Sequence, residues 1–238
     1  MKTPPKNWGK DSVSAFLNTA HENAYAFFVH EKIWQDKFDR INASFNKISE
    51  SLDHSKDWIA GLFLLRCQSS FLGSIRLGVA GQIPEAFAII RLQIESALYG
   101  FYFYKHPESF EIWLRRNEDE QSLKKAKAMF SFNKVLSNLE KTDKAISRIA
   151  IKLYERTIDY GAHPNEKSIT SIASFKKSIS GTQIEVNFLS SNHTAIVFTA
   201  KSISQVGLLS LNIFQRVFAE RFKILGLDED LPLLQEGL

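Results

Sequence analysis

Two long apolar segments near the middle of the chain constrain its fold most strongly. The first covers about residues 56–80 and the second about 84–104, and each is apolar on most of a helix circumference. Gly81 and Pro84 separate them, with Pro84 well placed as the first residue of the second helix. Helices that are apolar nearly all round lie at the centre of bundles. The sequence therefore predicts a mainly α-helical, multi-helix bundle built on these two segments.

The rest of the chain predicts further helices around this centre. Apolar residues at three- and four-residue steps indicate helices over about 12–29, 31–53, 110–114, 118–141, 143–160 and 192–225. The helices at 56–80, 84–104, 143–160 and 192–225 are expected to form the centre. The other helices are expected around them.

One stretch departs from the helical pattern. Between 168 and 190 the periodicity changes to two, and Ser180-Gly181 supplies a turn after the strand that ends at Ile179. This predicts one small β-hairpin at about 170–189, inserted before the last long helix. Since two strands alone are marginally stable, the hairpin is expected to lean on the helices.

Length and composition indicate one globular domain. At 238 residues and 44% hydrophobic content, the chain is long enough for a sizeable core. We expect a helical segment at 1–55 that packs on the bundle, a bundle core at 56–225 and a C-terminal tail at 226–238. The formal net charge of +4 is a mild bias, which permits nucleic acid as a ligand but does not imply it.

Several sequence features bear on location and cofactors. Cys67 is the only cysteine, so no intramolecular disulfide can form, and the N-terminal residues lack the apolar region of a signal peptide. Charged residues interrupt every apolar segment, so no membrane span is predicted. The sequence contains no zinc-ligand spacing, glycine-rich phosphate loop or nucleophile elbow. We expect a cytoplasmic protein with no metal and no cofactor.

One candidate ligand-binding cluster lies on the two central segments. Small residues separate Arg66 from Arg76 along one stripe of the first segment, and a matching stripe of the second carries Arg91, Glu95 and Tyr102. If the stripes face each other, the arginines meet the glutamate and the tyrosine hydroxyls in a partly buried network. Two readings stay open. The network either stabilises the bundle or lines a ligand pocket.

A second candidate site lies where the helix at 143–160 ends. Arg156 and His163 are two helical turns apart, and Arg156 lies at the edge of the apolar face, where partial burial is expected. Pro164 forces His163 out of helical geometry. An arginine that holds a phosphate and a histidine that moves a proton are a workable pair for RNA cleavage, with the 2′-hydroxyl as nucleophile. Tyr160 or Asn165 could orient the histidine. Alternatively, His163 only closes a helix.

At these residues the chain resembles the HEPN superfamily of helical domains, many of which are ribonucleases with an Arg-x(4–6)-His motif at a helix end. The motif here runs from Arg156 to His163. Family members often have Asn, Asp or His after the arginine, where this chain has Thr157. Two further segments also resemble bacterial helical proteins related to that group. They are Arg91-x(3)-Glu95 and the Tyr-Gly-x-His-Pro segment before the hairpin. The resemblance covers about residues 56–225.

The resemblance implies a metal-independent endoribonuclease of a defence or toxin–antitoxin system. Arg156, Tyr160, His163 and Asn165 would be its catalytic residues, RNA its substrate and an antitoxin-like protein its partner. HEPN-like enzymes build their site across a two-fold axis. In addition, the number of large aromatic residues, which include Trp34, Phe38 and Phe45, is greater than one face of the bundle needs. A homodimer is therefore expected. The alternative is a non-catalytic helical module that binds a protein partner or small ligand.

Overall fold

A computed structural model describes residues 3–170, 172–178 and 181–238, and its mainly helical architecture confirms the predicted multi-helix class. The first half consists of α1 (Ser12–His30), α2 (Lys32–Glu50), α3 (Trp58–Ala80), α4 (Ile83–Lys105) and α5 (Ser109–Leu114). The second half consists of α6 (Glu120–Met129), α7 (Phe132–Thr142), α8 (Lys144–Thr157), a π-helical turn (Ile158–Ala162), α9 (Glu166–Thr170), β1 (Ala173–Ser178), β2 (Gly181–Val186), α10 (His193–Gln215), α11 (Ala219–Ile224) and α12 (Leu227–Gln235).

The helices α3, α4 and α10 interlock at the centre of the bundle. Each has one glycine that receives a large side chain from another of the three. These contacts are Gly78 with Ile203, Gly100 with Phe214 and Gly207 with Phe71. A Cβ atom at any of the three glycines would come within 2.8–2.9 Å of that side chain, so a larger residue there would force the neighbouring side chain to shift.

The strands β1 and β2 form a two-stranded antiparallel ribbon, with Ala173 opposite Val186 and Ser178 opposite Gly181. Ile179 and Ser180, where the predicted first strand and turn meet, lie outside the described residues. Among the described side chains of the ribbon, the two large apolar ones of β2 do not lean on the helices as expected. Ile184 is 60% exposed and Val186 is 48% exposed, because the ribbon extends from α9 rather than lying on the bundle.

Two predicted helical segments are divided in the structure. The segment at 118–141 forms α6 and α7, which meet at Phe130, a buried residue with non-helical dihedral angles. The last long helix ends at Gln215 rather than near 225, and α11 follows as a separate helix. No glycine or proline lies between 216 and 218. The second break therefore comes from packing, since Val217 and Phe218 are both buried.

The C-terminal segment at 226–238, predicted as a tail, contains helix α12. Leu227, Leu231 and Leu234 of this helix are buried. Lys37 of α2 donates hydrogen bonds to the carbonyl of Leu234, at 3.3 Å, and to that of Glu236, at 2.6 Å. Burial of three leucines and these contacts with α2 hold the segment on the bundle.

The aromatic residues of α2 do not form an outward face. Phe45 is fully buried, Phe38 is 4% exposed and Trp34 is half-buried against the core. These aromatic residues therefore give no support for a homodimer, because the bundle itself covers them. The homodimer stays a prediction.

Asp143 caps the N-terminus of α8, and its side chain stabilises the helix in two ways. The carboxylate accepts a hydrogen bond from the backbone N–H of Ile146 at 3.0 Å, and its second oxygen accepts one from Arg216 Nη2 at 2.7 Å. The helix-capping hydrogen bond and, to a lesser extent, Arg216 lower the pKa of Asp143 against the opposing effect of burial.

Asp143→Ala is expected to lower the free energy of unfolding by about 1–2 kcal/mol at pH 7, because it removes both contacts. Asp143→Asn keeps the capping hydrogen bond but loses the charge, so it should lower the free energy of unfolding by less than Asp143→Ala does. The pKa of Asp143 is lower in the folded state than in the unfolded state. The contribution of its charge to the free energy of unfolding is therefore fully present above the unfolded-state pKa of about 3.9, and it is lost as the pH falls through the folded-state pKa.

Urea unfolding at pH 7 and below pH 4 measures the contribution of the Asp143 charge to the free energy of unfolding. The difference in stability between wild type and Asp143→Asn should shrink in acid. An equal difference at both pH values would show that the carboxylate charge contributes nothing.

Candidate functional site

The turn that follows α8 is fixed on the N-terminus of α4. Gly161 lies so close to Pro84 that a Cβ atom there would come within 2.4 Å of the Pro84 backbone. Asn165 closes the turn from the other side, because its Nδ2 donates to the carbonyl of Ile158 at 2.6 Å. The π-helical turn and the His-Pro-Asn segment thus have a defined position.

Arg156 lies at the end of α8, half-buried against α10. Its Nη1 donates to Ser202 Oγ at 3.1 Å and to Gln205 Oε1 at 2.5 Å. The guanidinium carbon lies 5.3 Å from the ring centroid of Phe198. All three partners are neutral. Among the described residues, no ion pair includes Arg156.

The charge of Arg156 is therefore held without a counter-ion in the described part of the chain. Burial lowers the pKa of the guanidinium, and Tyr160 partly opposes this effect. Arginine nevertheless stays protonated in proteins. A half-buried positive charge that faces only neutral acceptors favours the approach of an anion.

Tyr160 shares an aromatic surface with Arg156. Its ring lies 5.1 Å from the Phe198 ring and stacks at 5.3 Å on that of Phe87, while 38% of the residue stays exposed. Lys167 Nζ lies 6.0 Å from the Tyr160 ring and pairs with Asp159 at 3.0 Å. The structure thus brings Arg156 and Tyr160 together on one phenylalanine of α10.

His163 and Asn165 have other surroundings. His163 is exposed and extended, and among the described residues its ring has no hydrogen-bond partner; only its carbonyl accepts a bond, from Ser168 Oγ at 3.2 Å. Asn165 begins α9, since its Oδ1 accepts from the N–H of Ser168 at 2.8 Å. The Asn165 side chain is therefore engaged with the backbone, and no hydrogen bond joins Arg156 to His163 in this part of the structure.

The second cluster predicted from the sequence is present in part. Arg91 Nε donates to Glu95 Oε1 at 2.9 Å, and Arg91 Nη2 donates to the hydroxyl of Tyr154 at 2.7 Å. The Tyr154 hydroxyl in turn donates to Glu95 Oε1 at 3.3 Å, and its ring stacks on Phe132 at 3.6 Å. A cavity of about 210 Å³ lies beside these residues, with Tyr99 in its wall. Here the arginine charge is balanced by Glu95.

The other two residues of this prediction lie elsewhere. Arg66 is exposed, and the contacts of α3 with α4 come from other residues, among them Phe63, whose ring stacks on that of Tyr99, and Cys67, whose thiol donates to the Gln93 carbonyl. The predicted stripes of α3 and α4 therefore do not face each other. Tyr102 is buried with its ring 4.8 Å from that of His106, and it lines a separate cavity beside α6 and α7.

The residues of α10 that hold Arg156 were not predicted from the sequence. Phe198, Ser202 and Gln205 are spaced by four and three residues, so they share one face of α10. Polar residues at that spacing within a strongly apolar helix were the available signal. Which helix they would contact could not be read from spacing.

The described residues contain no cluster of metal ligands, and two of their helices are long and apolar enough to raise the question of a membrane span. No group of three or more His, Cys, Asp or Glu side chains in residues 3–170, 172–178 and 181–238 could hold a metal ion. The helices α3 and α10 are long and apolar enough to cross a membrane by length and composition, with 39% and 61% of their most apolar windows buried. Core helices of soluble proteins pass the same test, so this is weak evidence for a membrane span.

Comparisons of the chain with known protein families, with curated proteins and with solved structures find no match. The resemblance to the HEPN superfamily rests on the residues quoted above.

Gly161→Ala is expected to destabilise the protein by about 1–3 kcal/mol, because the added methyl group meets the Pro84 backbone, which cannot rotate away. Thermal unfolding measures the effect. Gly181→Ala is the matched control, since no atom lies within 4 Å of a Cβ there. Equal loss in both variants would show that the contact with Pro84 is not the cause.

Tyr154→Phe is expected to lower the free energy of unfolding by about 0.5–1.5 kcal/mol, because Arg91 and Glu95 both lose a partner. The stacking on Phe132 stays. Denaturant unfolding measures the difference. An unchanged stability would indicate that water replaces the hydroxyl at no cost.

Proposed function

We propose that the protein binds a phosphate-bearing ligand at Arg156, and that this ligand is RNA, cleaved without a metal ion in the manner of the HEPN superfamily. The observation that carries the proposal is the half-buried guanidinium of Arg156, which has only the neutral partners Ser202 and Gln205 among the described residues. A phosphate oxygen would supply the missing negative charge.

The contrast with Arg91 supports this choice. Both arginines are partly buried on the bundle, but Arg91 has a carboxylate partner at 2.9 Å and Arg156 has none in the described chain. Arg156 uses Nη1 for both of its hydrogen bonds, which leaves its other N–H groups available for a ligand. An anion therefore gains more at Arg156 than at Arg91.

Tyr160 supports RNA as the phosphate-bearing ligand. Its ring is fixed on Phe87 and Phe198 and is 38% exposed, so a nucleobase could stack on it beside the phosphate held by Arg156. Such stacking accepts any base. It fits a nuclease of broad sequence preference.

In the proposed reaction His163 is the general acid or base. As base it takes the proton of the 2′-hydroxyl; the 2′-oxygen then forms a bond to phosphorus while the bond to the 5′-oxygen breaks, and a solvent water donates a proton to that leaving oxygen. Arg156 stabilises the charge on the phosphate oxygens. The exposed ring of His163 has room to turn toward a bound substrate, and catalytic contacts often form only in the complex.

The same proposal includes the biological setting implied by the resemblance. A ribonuclease of a defence or toxin–antitoxin system acts in the cytoplasm and is held inactive by an antitoxin-like partner. In this proposal the Asn165 side chain holds the turn before α9 in place, and the Tyr160 ring stacks on a base of the substrate.

A second candidate function is a non-catalytic module that binds a small ligand in the cavity beside Arg91, Glu95 and Tyr154. The cavity of about 210 Å³ is lined by aromatic rings and by this hydrogen-bonded triad. Because Glu95 balances the charge of Arg91, the site favours a small, uncharged, polar molecule over an anion.

Cleavage of mixed-sequence RNA in the presence of a chelator tests the first proposal. Wild type should cleave, and His163→Ala and Arg156→Met should each lower the rate by about 100-fold or more. His163→Ala should keep its melting temperature within a few degrees, because the side chain is exposed. Arg156→Met should also weaken RNA binding, measured by fluorescence anisotropy.

Arg148→Met is the matched control, because Arg148 is an exposed arginine of the same helix. It should cleave and bind like wild type. Inorganic phosphate should raise the melting temperature of wild type but not that of Arg156→Met. No cleavage by wild type, together with a phosphate response that does not depend on Arg156, would leave the ligand-binding module as the better reading.

A further inference from the structure

A cavity of about 440 Å³ lies where α6 and α7 pack beside the C-terminal part of α4. Its wall includes Tyr102 of α4, Lys125 and Met129 of α6, and Lys134 and Asn138 of α7. The volume is within the range of about 300–1,000 Å³ that is usual for small-molecule sites. This space is called here the α6–α7 cavity.

The α6–α7 cavity is separate from the site around Arg156. The turn that follows α8 packs on Pro84 at the start of α4, whereas Tyr102 lies eighteen residues later on the same helix. At 1.5 Å per residue these two points are about 27 Å apart along α4. A small ligand in the cavity therefore does not touch Arg156.

The hydroxyl of Tyr102 is a polar group that the protein leaves available in this cavity. Tyr102 is only 8% exposed, and its ring packs against those of Phe130 and His106. Among the described residues its hydroxyl has no hydrogen-bond partner, in contrast to the hydroxyls of Tyr99 and Tyr154. The oxygen is not sealed inside the bundle, so it opens to the cavity that the residue lines. It can donate a hydrogen bond to a ligand there.

Two lysines give the cavity a positive charge. Lys125 and Lys134 line it, and neither belongs to an ion pair in the described part of the chain, whereas the adjacent Lys124 pairs with Glu120 at 2.8 Å. Residues 121–139 contain four lysines and no aspartate or glutamate. No acidic residue therefore stands three or four positions from either lysine, where helix geometry would pair them.

The charge of this cavity differs from that of three others. The cavities beside Arg91, Lys32 and Lys47 each have an aspartate or glutamate in the same wall. The described residues that line the α6–α7 cavity include no acidic residue. Of these four cavities it is the one whose field favours an anion, because a cleft lined by charge of one sign attracts the opposite charge.

Hydrogen bonds hold the polar wall of the cavity in place. Asn138 Oδ1 is hydrogen-bonded to His106 Nε2 at 2.9 Å, and Asn138 Nδ2 donates to the carbonyl of Lys134 at 3.1 Å. The His106 ring in turn lies 4.8 Å from the Tyr102 ring. The wall is therefore arranged before a ligand arrives, which lowers the entropy cost of binding.

We propose that the α6–α7 cavity binds a small phosphate monoester that carries a ring, of the nucleoside 5′-monophosphate type. Such a phosphate has a charge of about −1.5 to −2 near pH 7, which the ammonium groups of Lys125 and Lys134 balance. Tyr102 donates to a phosphate oxygen. Ala128 and Met129 supply the apolar part of the wall, and a thioether packs favourably against the ring of the ligand.

Isothermal titration with adenosine 5′-monophosphate measures this binding. The parent chain for the titration is Arg156→Met, so phosphate binding at Arg156 adds nothing and the result does not depend on the proposed ribonuclease activity. The parent should bind the nucleotide. Lys125→Met combined with Lys134→Met should weaken binding by about 20-fold or more, and Tyr102→Phe by about 10-fold, because each change removes a charged or hydrogen-bonded contact with the phosphate.

Lys127→Met combined with Lys141→Met is the matched control. Both lysines are exposed, one lies on α6 and one on α7, and neither lines the cavity. This pair removes the same charge and should bind the nucleotide like the parent. Adenosine and inorganic phosphate should each bind more weakly than the nucleotide, since one lacks the charge and the other lacks the ring. Circular dichroism checks the fold of each variant, and the same lysine pairs in the wild-type chain replace the parent if Arg156→Met does not fold.

Three results would overturn the proposal: no binding of the nucleotide at millimolar concentration, an equal loss in both lysine pairs, or inorganic phosphate that binds as tightly as the nucleotide. A parallel titration uses a single-stranded RNA hexanucleotide. If the substitutions of Lys125 and Lys134 weaken binding of the RNA but not of the nucleotide, the lysines belong to a nucleic-acid surface and the proposal is wrong.

Discussion

The close contact of α3, α4 and α10 through three glycines is the constraint on which the other features depend. Phe71, Ile203 and Phe214 each occupy the space of an absent side chain on a neighbouring helix. These contacts fix the rotation of the helices as well as their distance. With the Phe71 side of α3 turned inward, its opposite face with Leu62 and Leu72 is left on the surface. The rotation of α10 likewise turns Gln205 toward α8.

Polar groups inside this packing are neutral, and charge stays at its boundary. The thiol of Cys67 donates to the carbonyl of Gln93 at 3.4 Å, and Gln93 Nε2 donates to Ser210 Oγ at 3.2 Å. Burial raises the pKa of the Cys67 thiol far above its ordinary value, so this cysteine stays protonated and unreactive. Arg91 and Arg156 lie farther out and keep their charge, the first beside Glu95 and the second beside neutral acceptors. Arg91 therefore has a balanced charge, whereas Arg156 has no counter-ion among the described residues.

Local chemistry made some features predictable and tertiary packing decided others. Pro84 and Gly81 marked the boundary between α3 and α4, because both residues restrict the backbone wherever they occur. The pair of Arg91 and Glu95 followed from i,i+4 spacing on one helix. The exposed position of Arg66 did not follow from spacing, because a helix apolar on most of its circumference can present several faces to the core. The end of α10 at Gln215 was equally hidden, since no breaker residue marks it.

The sequence by itself determined that the chain is a helical bundle, where its central helices begin, and that Arg156 and His163 come at a forced end of α8. These follow from periodicity and from the backbone limits of glycine and proline, which act within a few residues. Only the tertiary structure decided that Arg156 faces Ser202 and Gln205, because that contact joins residues 46 and 49 positions apart. It also decided that Leu62 and Leu72 of α3 are exposed, since the inward face of α3 is chosen by the shapes of the helices that pack against it.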